Sequence, residues 1–255
     1  MAAFAGLDEK ACLTEVVLKQ RLQKLLSGAG VCSRRAAEKE IAAGNLQING
    51  RTASLGDSAD PETDTVLWKG QKITFRRQPK KYLMLYKPVG VVTTMHDEKG
   101  RKSVADLVEC GRRVYPVGRL DYASEGLLLM TDDGDLANRL MHPRHHVDKT
   151  YRVEVKGDPD RVPELEKPMK IDGYEIQPAA VKLLRMLAPG KMVLRITIHE
   201  GRNRQIRKMC QQCGFRVNRL QRIAIRELKL DPKLRPGQWR ELTKKEQETL
   251  FSYMA

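Results

Sequence analysis

The sequence predicts an α+β protein in two domains, and three observations lead there. A helix–helix–strand pattern occupies residues 19–76. A basic, proline-broken stretch follows, Arg76-Arg77-Gln78-Pro79-Lys80-Lys81, and residues 77–81 are assigned as the linker. From residue 82 to residue 255, short apolar runs and helical segments succeed one another without a regular β-α-β period. That irregularity argues for a mixed, mainly antiparallel sheet over a doubly wound fold. Residues 1–18 stand apart as an N-terminal extension with no chemistry to name.

In the first domain, Leu18, Leu22, Leu25 and Leu26 fall on one helical face, and Gly28-Ala29-Gly30 ends that helix. Ser33 is a good N-cap for a second helix carrying Ala36, Ala37 and Ile41, closed by Gly44. Leu46 and Ile48 alternate into Asn49-Gly50, a strong hairpin signal, and further strands are expected at Val66–Trp68 and Lys72–Phe75. In the second domain, strands are expected at Tyr82–Tyr86 and Val89–Thr94, around Lys87-Pro88. Gly126–Thr131 reads as a buried strand, turned by Asp132-Asp133-Gly134 into a helix near Asp135. Tyr151–Val155 and Val193–Ile198 alternate as strands do, with helices expected between them and after Gly201.

Charge narrows the function. The 255 residues include 47 Lys and Arg against 32 Asp and Glu, a formal net charge of +15. With 41% hydrophobic residues the chain has a core to bury, which excludes wholesale disorder. No apolar run approaches the ~20 residues that span a bilayer, and no signal-peptide pattern opens the chain. The cations are spread through folded segments, unlike a membrane-binding arm. Aromatics are only 5%, too few for a platform that stacks single strands. Five scattered cysteines suit a reducing compartment, so a cytoplasmic protein gripping phosphate through Arg and Lys is expected.

Three segments could carry chemistry. In Tyr115–Met130, Asp121 lies on a loop between a short strand and a Ser-Glu-Gly turn, where functional residues often sit. Glu125 reads as a surface residue, because the turn prevents the two carboxylates from sharing a helical face. Residues 201–226 hold eight Lys or Arg and no acid. On a helix there, Arg204, Arg207, Lys208 and Gln211 would share one side, and Ile206, Met209, Cys210 and Cys213 the other. That apolar side makes Cys210 and Cys213 buried thiols, not half of a zinc or redox site. In the third segment Tyr151 begins a strand beside Lys149. Asp132–Asp135 lacks the spacing of a calcium loop and reads as a turn and cap.

Two resemblances organise these pieces. Residues 19–76, with Ser33-Arg34-Arg35 and Asn49-Gly50-Arg51, resemble the S4 RNA-binding domain. That likeness implies that Arg34, Arg35 and Arg51 grip structured RNA. Gly118-Arg119-Leu120-Asp121, Lys149-Thr150-Tyr151 and Gly201-Arg202-Asn203-Arg204-Gln205-Ile206-Arg207 resemble the three motifs of the RsuA/RluB/RluF-type pseudouridine synthases. Members isomerise uridine to pseudouridine in ribosomal RNA without metal or cofactor. The resemblance implies that Asp121 is the nucleophile, attacking C6 or C1′ of a uridine flipped from its stack. Arg207 would keep Asp121 ionised, and Tyr151 would pack on the target base. Arg119, Lys149, Arg202, Asn203, Arg204 and Gln205 would contact RNA. Around Asp121–His146 the chain looks closer to the RluB/RluF branch, which implies large-subunit RNA, with small-subunit RNA as the near alternative. Arg222–Lys229 departs from the glycine-containing turn of many members. A non-catalytic ribosome-assembly factor on the same scaffold is a further reading, as is a helix-turn-helix DNA binder, although nothing signals a dimer and a monomer is expected.

Overall fold

A computed structural model describes residues 19–75 and 78–252. The chain forms two compact units that divide between Gln78 and Pro79. The N-terminal extension, Leu18, Arg76 and Arg77 lie outside the described residues.

The first unit runs β1 (Gln20–Arg21), α1 (Leu22–Gly28), α2 (Arg34–Ala42), β2 (Leu46–Ile48), β3 (Arg51–Thr52), β4 (Ser58–Ala59), β5 (Val66–Trp68) and β6 (Gln71–Lys72). Leu22, Leu25 and Leu26 from α1 meet Ala37 and Ile41 from α2 over Leu46, Ile48 and Val66. Ser33 caps α2 as its sequence implies, its Oγ accepting from the Ala36 N–H at 3.1 Å. Asn49 and Gly50 both take positive φ, 49° and 81°, the two left-handed residues that a tight β2–β3 hairpin demands. The last strand starts and ends earlier than Lys72–Phe75. Lys69 and Gly70 form the turn with positive φ, so β6 begins directly after it, and Ile73 and Phe75 leave the sheet to pack on the core.

The second unit contains β7 (Tyr82–Lys87), β8 (Tyr115–Pro116), β9 (Glu125–Thr131), α3 (Gly134–Met141), β10 (Lys149–Lys156), β11 (Met169–Ile171), β12 (Tyr174–Ile176), β13 (Ala180–Ala188), β14 (Lys191–Ile198), α4 (Gln205–Gln212), β15 (Arg216–Ile225), β16 (Leu228–Lys229), β17 (Trp239–Glu241) and α5 (Lys244–Phe251). A nine-stranded sheet is ordered β13-β14-β10-β15-β9-β7-β17, with β16 on β15 and β8 on β9. Its pairs are antiparallel except β15 with β9, so the fold is the mixed, mainly antiparallel α+β arrangement. Alternation gives the sheet two faces. Leu83, Leu85, Leu128, Met130, Val153 and Leu194 point to the front, where α4 covers them with Ile206, Met209 and Cys210. Met84, Leu127 and Leu129 point to the back, where Leu136 and Leu140 of α3 and Leu250 of α5 cover them.

Two expected elements differ. Val89–Thr94 is a loop with a single bridge, Val92 to Ser103, because Gly90 turns at φ 81° and Thr93 is pulled aside by Leu120. The helix between β10 and β14 is a 3-10 stretch, Pro159–Glu166, and Pro163 within it has no N–H to carry an α-helix onward. Strands β11, β12, β13 and β15 were not anticipated, the last because Arg216-Val-Asn-Arg-Leu-Gln-Arg is too polar to read as a strand.

Candidate active site

The site grows from the loop that enters β9. Gly118 turns the chain at φ 76°, and Leu120 is then fixed from both sides by Thr93. The Thr93 Oγ1 donates to the Leu120 carbonyl at 2.7 Å and accepts from its N–H at 3.2 Å. Asp121 follows, half-buried, and the Ser124 N–H closes a turn onto its carbonyl at 3.0 Å. The tight turn is therefore Asp121–Ser124, and Glu125-Gly126 already belongs to β9. Beneath the turn ends β7, whose last residue is Lys87. Its ammonium donates to the carbonyls of Pro88 at 2.9 Å, Asp121 at 3.1 Å and Ser124 at 2.8 Å. The side chain is 0% exposed, and burial brings its pKa down to about 8. The charges of Asp121 and Glu125 oppose that fall, and Arg222 adds to it. Such a lysine fixes the turn from below by two hydrogen bonds and ties it to the end of β7 by a third, to Pro88.

Arg207 reaches the same turn from α4. With Ile206, Met209 and Cys210 committed to the core, the helix delivers the Arg207 Nη2 to the Ala123 carbonyl at 2.7 Å. Its Nε is buried without a hydrogen-bond partner. Burial lowers the Arg207 pKa and Arg204 adds to that, while the Asp121 charge raises it. The expected link to Asp121 thus takes the form of a hydrogen bond to the turn plus a charge interaction, with a buried N–H still unengaged.

Tyr151 stands on the front face of β10, 7% exposed, opposite Arg222 of β15. Arg222 in turn lies opposite Gly126 of β9, so three neighbouring strands carry the floor of the site. Gly126 has φ 108°, and a Cβ there would come within 2.2 Å of the Arg222 carbonyl oxygen. Only glycine permits that approach. Arg222 is buried, its Nε donating to the Leu127 carbonyl at 2.8 Å and its Nη2 left without a partner. Lys149 donates to the Val147 carbonyl at 2.7 Å, and burial followed by the Arg222 charge lowers its pKa to about 8.

The remaining basic residues spread around this centre. Arg119 is exposed two residues before Asp121, and Arg202, Asn203 and Arg204 are exposed ahead of α4. Arg204 is the left-handed N-cap, φ 53°, so it does not share a helical side with Arg207 as the periodicity implied. Arg202 stacks over the Tyr174 ring, 3.1 Å from its centroid, and pairs with Glu200 at 3.4 Å. Gln205 is buried and braces the loop, accepting from the Arg202 N–H at 3.1 Å and reaching Glu200 at 3.4 Å. Nor is the basic stretch without acids, for Lys208 pairs with Asp172 and Arg219 with Glu125. That pairing corrects the surface assignment of Glu125, which is 7% exposed on the back face. Cys210 and Cys213 are buried, and burial pushes the Cys210 thiol up to about 12. In the first unit, Arg34 and Arg35 are exposed at the start of α2, and Arg51 pairs with Asp57 at 2.9 Å. Lys87 and Arg222 are the residues that sequence reasoning missed. The signals were a lysine closing the apolar run Tyr82–Tyr86 and an arginine inside Leu220–Ile225.

Comparison with known proteins places this arrangement. Residues 81–212 match the family described as RNA pseudouridylate synthase, and residues 20–64 match the S4 domain. The ribosomal large subunit pseudouridine synthase B of Bacillus subtilis is 40% identical over 235 residues, covering 91% of this chain and 95% of that protein. The dual-specificity RNA pseudouridine synthase RluF of Escherichia coli is 38% identical over 232 residues, covering 91% of this chain and 78% of that protein. A pseudouridylate synthase crystal structure superposes with a TM-score of 0.64 at 28% identity, covering 90% of this chain and 99% of that one.

Proposed function

The chain belongs to the RNA pseudouridylate synthase family and carries an S4 domain, and from that premise we propose that it isomerises a uridine of large-subunit ribosomal RNA, with Asp121 as the nucleophile. The observation that carries the assignment is the Asp121–Ser124 turn, clamped by Lys87 from below and by Arg207 from α4. A carboxylate attacks only when ionised. Arg207 and Lys87 both interact electrostatically with the Asp121 charge, so the carboxylate stands in a cationic setting.

In the proposed cycle, the uridine leaves its stack and enters the site against Tyr151. The Asp121 carboxylate adds to C6 or C1′, the glycosidic bond breaks, and the base turns and rejoins the ribose through C5. The C5 proton is then lost, with Tyr151 assisting, and Asp121 is released unchanged. The open Nε of Arg207 supplies a donor for charge that develops during the step. Arg119, Lys149, Arg202, Asn203 and Arg204 hold the displaced backbone, Gln205 shapes their loop, and Arg34, Arg35 and Arg51 hold a second part of the RNA. No described helix is long and apolar enough to cross a membrane. With ribosomal RNA or a pre-ribosomal particle as substrate, we place the enzyme in the cytoplasm as a monomer needing no cofactor.

The choice of subunit is tested by incubating the protein with unmodified large- and small-subunit RNA and mapping pseudouridine by carbodiimide-dependent primer-extension stops. One new stop in the large-subunit RNA is expected. A stop only in the small-subunit RNA would move the substrate assignment to that subunit.

A further inference from the structure

The back face of the sheet has two halves of different chemistry. Helices α3 and α5 pack on the β7–β9 half through Leu136, Leu140 and Leu250. The β13–β14–β10 half carries cations in register. Lys182 of β13 lies opposite Arg195 of β14, which lies opposite Arg152 of β10. Toward the other end of the strands, Lys191 of β14 lies opposite Lys156 of β10, which lies opposite Arg216 of β15. Strand neighbours sit about 4.8 Å apart, and the four residues from Arg152 to Lys156 set the two rows about 13 Å apart along the strand.

Like charges directly opposite one another destabilise a sheet. Lysine on an edge strand is an ordinary guard against aggregation and accounts for Lys182. It does not account for Arg195, Arg152 or Lys156, which stand on the interior strands β14 and β10. Among the described residues, none of Lys182, Arg195 and Arg152 forms an ion pair or a side-chain hydrogen bond, and the Arg152 Nε is buried without a partner. The nearby acids are engaged elsewhere. Glu154 pairs with Arg219 at 3.7 Å, and Glu166 accepts from the Val181 N–H at 2.7 Å. Lys182 and Arg195, with Thr150 and Thr197, line an open groove of about 620 Å³ on this face. Tyr151 points to the opposite face of the same strand, so the groove is separate from the candidate active site.

We propose that this face is a second binding surface for the phosphodiester backbone of RNA, used by a segment of the substrate that passes behind the sheet while the target uridine occupies the front. The chemistry fits a polyanion of regular spacing, since two rows of three cations offer repeated charge across the face. Retaining unfavourable cation–cation neighbours makes sense where phosphates lie between them in the complex. The proposal rests on RNA being the substrate.

The test uses the full chain and transcribed, unmodified large-subunit RNA, with affinity measured by filter binding between low and moderate salt. The triple variant Lys182→Gln, Arg195→Gln, Arg152→Gln is expected to lower the slope of log K against log salt by about two to three units, at about 0.9 for each phosphate no longer neutralised. Its melting temperature is expected to equal or exceed that of the wild type, because like-charge repulsion is relieved. An unchanged slope in the folded triple variant would overturn the proposal. Should burial of Arg152 make the triple variant fail to fold, the exposed Arg195→Gln alone is expected to lower the slope by about one unit, and an unchanged slope would count equally against it. A photo-crosslinker tethered at Lys182→Cys should label the RNA, and absence of labelling would contradict the claim. Weakened binding of the triple variant to phosphatidylserine vesicles, with RNA affinity intact, would assign the face to a membrane instead. Tritium release from 5-tritiated uridine, measured in parallel, reads the front site independently, so failure there leaves the slope comparison standing.

Discussion

Lys87 is a whole ammonium group placed where solvent does not reach, and its three carbonyl acceptors converge from Pro88, Asp121 and Ser124. A neutral amine has only two protons to donate, so deprotonation loosens the Asp121 turn and removes a positive charge near the carboxylate. Activity is therefore expected to fall as pH rises through about 8, where burial sets the Lys87 titration, and the check is the pH dependence of the single-turnover rate. The sign for stability is opposite. Unfolded, the lysine stays protonated to about 10.4. Between the folded and unfolded values the unfolded chain binds more protons, so this residue's contribution to stability rises with pH. Urea melts of wild type minus Lys87→Met at neutral and alkaline pH should show that gain. At neutral pH Lys87→Met strands three carbonyls but also relieves a buried charge, for a net loss of about 1–3 kcal/mol. Its rate should be low and free of the descending limb near pH 8. Lysine in an apolar run was visible in the sequence, yet its purpose was not, because two of its acceptors lie 34 and 37 residues away.

At the scale of elements, the parallel pairing of β9 with β15 joins the strand that follows the Asp121 turn to the strand beside Tyr151. Gly126 makes it possible. Gly126→Ala adds a Cβ 2.2 Å from the Arg222 carbonyl oxygen at φ 108°, a clash with backbone on top of strain, and at least about 3 kcal/mol should be lost. Gly118→Ala meets nothing within 4 Å at φ 76°, so only about 1 kcal/mol of backbone strain is expected. Chemical denaturation of the two variants checks the contrast. The helices were legible for local reasons. Ser33 caps α2 and Asp133 caps α3 through their own side chains, and the apolar spacing of Ile206, Met209 and Cys210 marked the core side of α4. The strands β13 and β15 were not. Exposed Leu183, Leu184, Met186 and Leu187 break the alternation of β13, and β15 buries an arginine where a hydrophobe would be expected. Arg204 was misplaced because helical spacing says nothing of where a helix starts, and its left-handed backbone ends the pattern one residue early.

At the scale of the molecule, the +15 charge is divided between two compact units. Removing residues 1–78 is expected to leave the circular dichroism of the second unit native-like, to weaken RNA binding, and to reduce its salt slope by about 0.9 for each phosphate that the first unit neutralises. An unchanged slope in the truncated protein would contradict RNA binding by Arg34, Arg35 and Arg51. The central claim, that Asp121 initiates isomerisation of a uridine in ribosomal RNA, meets its most direct test in tritium release. Forming the C5 glycosidic bond expels one hydrogen from C5 for every pseudouridine made. Wild type should release tritium from 5-tritiated uridine in unmodified ribosomal RNA, and Asp121→Asn, folded and still binding RNA, should release none. Release by the Asn variant at the wild-type rate, or no release by wild type from either subunit's RNA, free or in pre-ribosomal particles, would contradict the account.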